Sequence, residues 1–219
     1  MSSDPAKERL YQAIGRVAAA LASAGRLQIL EFVAQGERSV DALAAMTGLS
    51  VANTSKHLQG LRQAGLVNAR KEGLRVYYAL AGDDVSLLLA SLRGVAEHRA
   101  ADVEKLLKTW LAHRDELDPV PAREVLQRLK GGLVTVLDVR PAEEFAAGHL
   151  PGAINVPVEK LEAFLSKLPR RKEVIAYCRG PYCLMSFDAV EKLRKRGFKA
   201  KRLQDGYPEW RAAGLPVER

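Results

Sequence analysis

Residues 39–67 read SVDALAAMTGLSVANTSKHLQGLRQAGLV, and the architecture of the first half of the chain follows from them. Ser39 stands where a helix N-cap belongs, with Val40, Leu43 and Ala44 following at helical spacing. Gly48 supplies a turn and Ser50 a second cap. Thr54, Leu58 and Leu61 then form the inward stripe of another helix, which ends near Gly65. Two short helices joined by a glycine turn make a helix-turn-helix candidate over 39–64. A recognition helix must offer small and polar groups at its N-terminal end to enter the major groove. Asn53, Ser55, Lys56 and His57 meet that need.

Working outward, Asp4 caps a helix with Pro5 in its first turn, running through Tyr11, Ile14 and Val17. A second helix follows Gly25, with Leu27, Leu30 and Val33 on one face and Gly36 at its end. On the other side, Leu66–Lys71 and Leu74–Leu80 suit strands, with Glu72-Gly73 as the hairpin turn. The hairpin carries Arg70, Lys71 and Arg75. Residues 50–75 hold five basic side chains against one acid, a local net of +4 that suits phosphate contact. A helical bundle with a solvated basic face has the same periodicity, so spacing alone leaves both readings open. A long helical stretch from about Asp84 to Arg114 places Leu88, Leu92, Val95, Leu106, Trp110 and Leu111 at helical spacing. Asp115–Pro121, with two prolines and three acids, reads as a linker. The expected division is a first domain over 1–115, a linker over 116–121 and a second domain over 122–219.

The chain has 219 residues, 47% hydrophobic and 27% charged, which suits one large or two small globular domains and argues against disorder or collagen. Lys7, Arg9, Arg16 and Arg26 interrupt the N-terminal apolar residues, so no signal peptide is expected. No stretch is apolar for the ~18 residues a membrane helix needs. A cytoplasmic protein with no membrane partner is the expectation. The net charge of +8 invites a nucleic-acid partner. Residues 1–118 hold 15 basic and 14 acidic side chains (+1), and 119–219 hold 19 and 12 (+7), so local patterning must locate the DNA-facing surface.

The second half changes character. Val134–Val139, Val174–Tyr177 and Lys199–Leu203 alternate with helical patterns, the signature of a parallel α/β sheet. At its centre lies Tyr177-Cys178-Arg179-Gly180-Pro181-Tyr182-Cys183, which contains the chain's two cysteines. A strand enters this loop, and a helix carrying Phe187, Val190 and Leu193 leaves it. Loop N–H groups, the helix dipole and Arg179 would each favour thiolate over thiol at Cys178. The alternative is a cysteine buried as a small hydrophobe, the usual fate of a free cysteine, and the Gly180-Pro181 turn and Arg179 argue against it. An arginine to clamp phosphate belongs six residues after such a nucleophile, and that position is Leu184, so phosphate transfer is disfavoured.

Two resemblances sharpen these readings. Leu49-Ser50, Ser55-Lys56-His57-Leu58, Leu61–Val67, Gly73 and Val76–Leu80 resemble the ArsR-type winged-helix repressors over about residues 8–100. The resemblance implies a homodimer built on the first and last helices of the domain, and release of double-stranded operator DNA when an inducer binds. Metal-sensing members often carry thiols where this chain has Arg38-Ser39-Val40-Asp41. Asp83, Asp84, His98 and His113 do not fall at paired-ligand spacing, so no metal site is expected in this half. Asp138-Val139-Arg140, Glu144-Phe145, Gly148–Pro157, the Cys178 loop, Gly206–Trp210 and Gly214–Pro216 resemble a rhodanese domain over about residues 120–217. That resemblance implies Cys178 as a nucleophile accepting sulfane sulfur, with Arg179 beside it. It implies that Asp138 and Arg140 hold the strand end and that Glu144 and His149 fix turns. Cys183 stands where many thiosulfate-using members carry a basic or hydroxyl residue. It is either a resolving thiol or a helix-start residue facing the core.

The expectation is therefore an α+β winged helix-turn-helix domain followed by an α/β rhodanese domain with a parallel sheet. It would act as a DNA-binding regulator with a small sulfur donor or thiol acceptor as partner and no cofactor. Three rivals stand: a sulfurtransferase without sensing, a metal or metalloid sensor using Cys178 and Cys183, and a regulator whose second half is inert.

Overall fold

The computed structural model describes residues 4–111 and 119–219. Packing divides the chain into two units, Met1–Val85 and Ser86–Arg219. The helical stretch expected to close the first domain belongs mostly to the second unit. His113 and residues 116–118 of the expected linker lie outside the described residues.

In the first unit, α1 (Pro5–Leu21) and α2 (Ala24–Val33) precede a short strand β1 (Arg38–Ser39), α3 (Val40–Thr47), α4 (Val51–Gln63) and the hairpin β2 (Val67–Glu72) and β3 (Arg75–Leu80). The caps are local chemistry. Ala6 N–H donates to Asp4, Ala42 N–H to Ser39 Oγ at 3.2 Å and Asn53 N–H to Ser50 Oγ at 3.2 Å. Gly48 closes α3 in the left-handed conformation. Ile29, Leu30 and Val33 of α2 meet Leu43 and Ala44 of α3 and Leu58 and Leu61 of α4 in a buried core. Pairing of Glu72 with Arg75 moves the hairpin turn one residue on from the expected pair, to Gly73-Leu74. Gly73 takes the positive φ that the tight turn requires. The strand β1 was not foreseen. It pairs with β3 and leaves an antiparallel sheet of order β1-β3-β2.

The stretch expected as one long helix is two, α5 (Asp83–Arg99) and α6 (Ala101–Trp110). Ala100 breaks it with φ −103° and ψ 106°. No proline or glycine marks the break, which is why spacing did not reveal it. Val85, in the first turn of α5, is buried and closes the first unit, while the rest of the helix belongs to the second.

The second unit continues with β4 (Pro119–Val120), α7 (Ala122–Lys130), β5 (Val134–Asp138), α8 (Ala142–Ala147), β6 (Ile154–Asn155), α9 (Leu161–Phe164), β7 (Glu173–Tyr177), α10 (Leu184–Lys195), β8 (Ala200–Leu203) and α11 (Tyr207–Ala212). The five strands are parallel in the order β4-β8-β7-β5-β6. Pro119 and Val120, which composition assigned to the linker, are its edge strand, because Val120 pairs with Leu203 and is buried. Side chains alternate across the sheet. Val174, Ala176 and Cys178 join one core with Leu137, Ala189, Val190 and Leu193. Ile175 and Tyr177 join the other with Val136, Leu150, Tyr207 and Trp210. Both faces are thus covered, as a parallel sheet requires. Among the described residues no helix is long and apolar enough to cross a membrane.

Candidate functional site

Helix α4 sets the DNA-facing candidates. Thr54, Leu58 and Leu61 point inward, leaving Asn53 and Lys56 exposed and Ser55 half-buried. His57 turns toward α2. A Cβ at Gly25 would lie 3.1 Å from His57 Nε2, so the glycine makes room for the imidazole. On the wing, Lys71 and Arg75 are exposed. Arg70 is exposed but engaged: Nε and Nη2 reach Glu37 at 3.0 and 2.6 Å, and Nη1 reaches Glu72 at 2.6 Å. The hydrogen bonds from Arg70 hold the Glu37 carboxyl below its ordinary range. A phosphate at Arg70 must compete with two carboxylates, a cost invisible in a count of basic residues.

The second site is built where β7 ends. Alternation along the strand puts Cys178 in the apolar core beside Val174 and Ala176, 1% exposed. The chain turns through Arg179–Tyr182, where Cys183 N–H donates to the Gly180 carbonyl at 3.1 Å. Cys183 is the N-cap of α10, so the positive end of that helix falls at Cys183. The two sulfurs are joined in a disulfide with Cα atoms 6.1 Å apart. Arg179 does not lie free beside Cys178. Its Nε and Nη2 donate to the buried Glu144 at 3.0 and 2.7 Å, tying the loop to α8.

Behind the loop, Tyr207 N–H donates to the Cys178 carbonyl at 3.1 Å. Gly206 N–H donates to Glu209 Oε2 at 3.1 Å. The end of β5 is held by a fully buried ion pair. Arg140 Nη2 meets Asp138 Oδ2 at 2.6 Å and Arg140 Nε meets Oδ1 at 3.0 Å. Arg140 also donates to the Gly148 carbonyl at 2.8 Å and lies 4.5 Å over the Tyr207 ring. Burial pulls Arg140 down, and the hydrogen bonds and charge of Asp138 more than offset it, so the guanidinium stays charged. Tyr177 donates its hydroxyl to Asp138 and accepts Leu150 N–H at 3.2 Å. Burial, then the Asp138 charge, hold that hydroxyl far above its ordinary value, as a permanent donor. His149 stacks on Phe145 at 3.7 Å, and its Nδ1 lies 3.1 Å from the Phe145 carbonyl.

The structure thus brings Cys178, Cys183, Arg179 and Glu144 together, with Asp138 and Arg140 beneath and His149 beside α8. It adds Tyr177, Tyr182, Gly206 and Glu209, which the sequence reading did not single out. The Gly206–Glu209 spacing is a readable cap signal. Tyr182 showed no signal beyond its place in the loop. Among the described residues, no group of three or more His, Cys, Asp or Glu side chains is placed to hold a metal ion.

Comparison with known proteins follows this division. The model of the family described as "Bacterial regulatory protein, arsR family" matches residues 23–69, and that of the "Rhodanese-like domain" matches 121–213. The HTH-type transcriptional regulator Rv0324 of Mycobacterium tuberculosis is 47% identical over 212 residues, 97% of this chain and 93% of that protein. A sulfurtransferase of Allochromatium vinosum is 29% identical over 85 residues, 38% of this chain and 78% of that protein. The solved homodimeric winged helix-turn-helix DNA-binding domain of Mb0332 from Mycobacterium bovis is 43% identical. The match covers 47% of this chain and 94% of that one, with a TM-score of 0.42. With helix-turn-helix, wing and thiol loop all in place, the chain belongs to the arsR family of transcriptional regulators and carries a rhodanese-like domain behind its DNA-binding half.

Proposed function

We propose that this regulator reads reactive sulfur through Cys178 and Cys183 and adjusts its hold on operator DNA accordingly. The observation that carries the reading is the pair of sulfurs bonded across one six-residue loop. The Cys178 thiolate attacks the sulfane sulfur of a persulfide or polysulfide. The donor's S–S bond breaks, and its remaining sulfur leaves with the electron pair as a thiolate or hydrosulfide. Cys178 becomes a persulfide. The Cys183 thiolate then attacks Cys178 Sγ. The Sγ–Sγ bond forms and the terminal sulfur leaves as hydrosulfide. Two thiols are oxidised, the sulfane sulfur is reduced, and a cellular thiol reopens the disulfide by exchange.

In this reading residues 1–115 bind DNA and dimerise, and 122–219 handle sulfur in the cytoplasm. Arg179 acts through Glu144 to fix the loop. Asp138, Arg140 and His149 hold the scaffold. Leu10, Tyr11 and Ile14 on α1 are exposed, as are Leu88, Leu92 and Val95 on α5. Apolar stripes of this kind fit a homodimer.

The test measures operator affinity of reduced wild type and Cys178→Ser, each with and without polysulfide. Wild type should weaken by about 100-fold, a typical allosteric factor, and Cys178→Ser should not respond. Four equal affinities overturn the reading. Intact mass on the same samples should show one added sulfur, then loss of two hydrogens.

The DNA contact makes its own prediction. Lys56→Ala and Lys71→Ala should each lower the slope of log affinity against log salt by about one. Arg70→Ala should lower it less, because Glu37 and Glu72 already neutralise that guanidinium. Salt titrations of the three variants check the order.

A further inference from the structure

Helix α5 grips the thiol loop from outside the sheet. Arg93 and Glu97 stand one turn apart on this helix, spacing that puts both on one face. Within the second unit, Glu97 reaches the thiol loop and Arg93 the backbone behind it. Glu97 accepts a hydrogen bond from the hydroxyl of Tyr182, one of the four residues between the two cysteines and the immediate neighbour of Cys183. Trp110 of α6 rests against the same tyrosine, ring centroids 6.3 Å apart and tilted by 56°. Arg93 pairs with Glu209. Glu209 holds Gly206 N–H, and Tyr207 N–H holds the Cys178 carbonyl. One helix face therefore contacts both the loop and the wall behind it.

These contacts are better placed to transmit motion than surface ion pairs. The Arg93 and Glu209 side chains are 28% and 12% exposed, so solvent screens them only in part. An O–H donor to a carboxylate is among the stronger hydrogen bonds and is directional. Burial, then Glu97 itself, hold the Tyr182 hydroxyl above its ordinary value, so the donor keeps its proton through the physiological range. Helix α5 starts at Asp83, directly after the wing, with Val85 buried in the first unit, and runs unbroken to Arg99.

We infer that the Tyr182–Glu97 hydrogen bond, backed by Arg93–Glu209, is the coupling element that passes the bonding state of Cys178 and Cys183 to α5 and so to DNA binding. This rests on the sulfur-reading function above. Closing or opening the Cys178–Cys183 bond changes the conformation allowed to the residues between them. Among them, Tyr182 bonds α5 through its hydroxyl. Coupling of this kind is reciprocal. Operator DNA must shift the dithiol–disulfide equilibrium, set against reduced and oxidised glutathione, by the same factor by which oxidation shifts operator affinity.

The test uses full-length wild type, Glu97→Ala, Glu97→Gln and Tyr182→Phe. Each is reduced, treated with polysulfide, checked by intact mass for the lost hydrogens, and titrated with operator DNA. Wild type should weaken about 100-fold and Glu97→Gln nearly as much, since its amide oxygen still accepts the tyrosine hydroxyl. Glu97→Ala and Tyr182→Phe should form the disulfide yet weaken by less than about threefold. A wild type that ignores polysulfide defeats the sulfur-reading function itself. Wild type responding with Glu97→Ala and Tyr182→Phe responding as fully overturns the coupling and leaves that function standing. Failure of Glu97→Ala to form the disulfide also overturns the coupling, because Glu97 would then act on the chemistry and not on its transmission. A glutathione equilibrium unmoved by operator DNA, in a wild type whose affinity does respond, overturns it as well.

Discussion

Asp138→Ala should destabilise the second unit by about 3–5 kcal/mol, the usual cost of removing one partner of a buried ion pair. Both side chains are fully buried, 0% exposed on each side. Asp138 receives Arg140 Nε and Nη2, the Arg140 backbone N–H at 2.9 Å, and the Tyr177 hydroxyl. Alanine would strip the Asp138 counter-charge from Arg140 and leave the buried cation with the charge of Glu144, the Gly148 carbonyl and the rings of Tyr177 and Tyr207. Isolated charges in such surroundings are expensive because the protein interior replaces little of their hydration. The pair is no proof of stability gained, since an apolar pair of similar volume is often as good. Asp138→Leu with Arg140→Met should therefore recover part of the loss, though Tyr177 would still lack its acceptor. Denaturant unfolding followed through Trp210, buried in the same unit, measures both. A single-variant cost below about 1 kcal/mol would show that Arg140 finds another partner and that the end of β5 is not held this way.

What the sequence disclosed and what it hid divide along a physical line. Helix caps act over two or three residues, so Ser39, Ser50 and Asp4 announce the helices they start. The alternation of β7 makes Cys178 the next residue on the face of Val174 and Ala176, and that too is local. Contacts across long separations leave no such trace. Glu37 and Arg70 are 33 residues apart, and Glu97 and Tyr182 are 85 apart. Nothing in either neighbourhood predicts the partner. His57 looked like a groove-facing residue because its neighbours are polar. Its place over Gly25 depends on how α2 meets α4, which periodicity does not encode. Arg179 shows the same limit. Beside Cys178 in sequence it suggests charge delivered to the sulfur, whereas a buried carboxylate on α8 claims it. The break at Ala100 turns one long periodic stretch into two helices, and only tertiary contact shows why Trp110 ends beside Tyr182.

The same contrast governs two glycines that motif reading would rank the other way round. Gly180 lies inside the thiol loop, where motif reading puts the sensitivity. Yet a Cβ there meets nothing within 4 Å, so Gly180→Ala should leave the reactivity of the reduced loop within about threefold of wild type. Gly206 lies outside the loop, in ordinary extended backbone with φ −113° and ψ −173°. Alanine adopts that conformation freely and would even lower the entropy of the unfolded chain. The obstacle is space. A Cβ at Gly206 would come 2.4 Å from the carbonyl carbon and oxygen of Arg179 and from Gly180 N, all of them backbone atoms that no rotamer change can move aside. Relief requires the loop to retreat from α11, which strains the Tyr207 N–H bond to the Cys178 carbonyl. A displacement of about 1 Å at a reacting group costs on the order of 100-fold in rate. Gly206→Ala should therefore slow sulfur loading of reduced Cys178 by about that factor, and the measurement is persulfide formation followed by intact mass against time. Equal rates for the two alanine variants, or a slower Gly180→Ala, would mean that close packing against Gly206 does not set the position of Cys178.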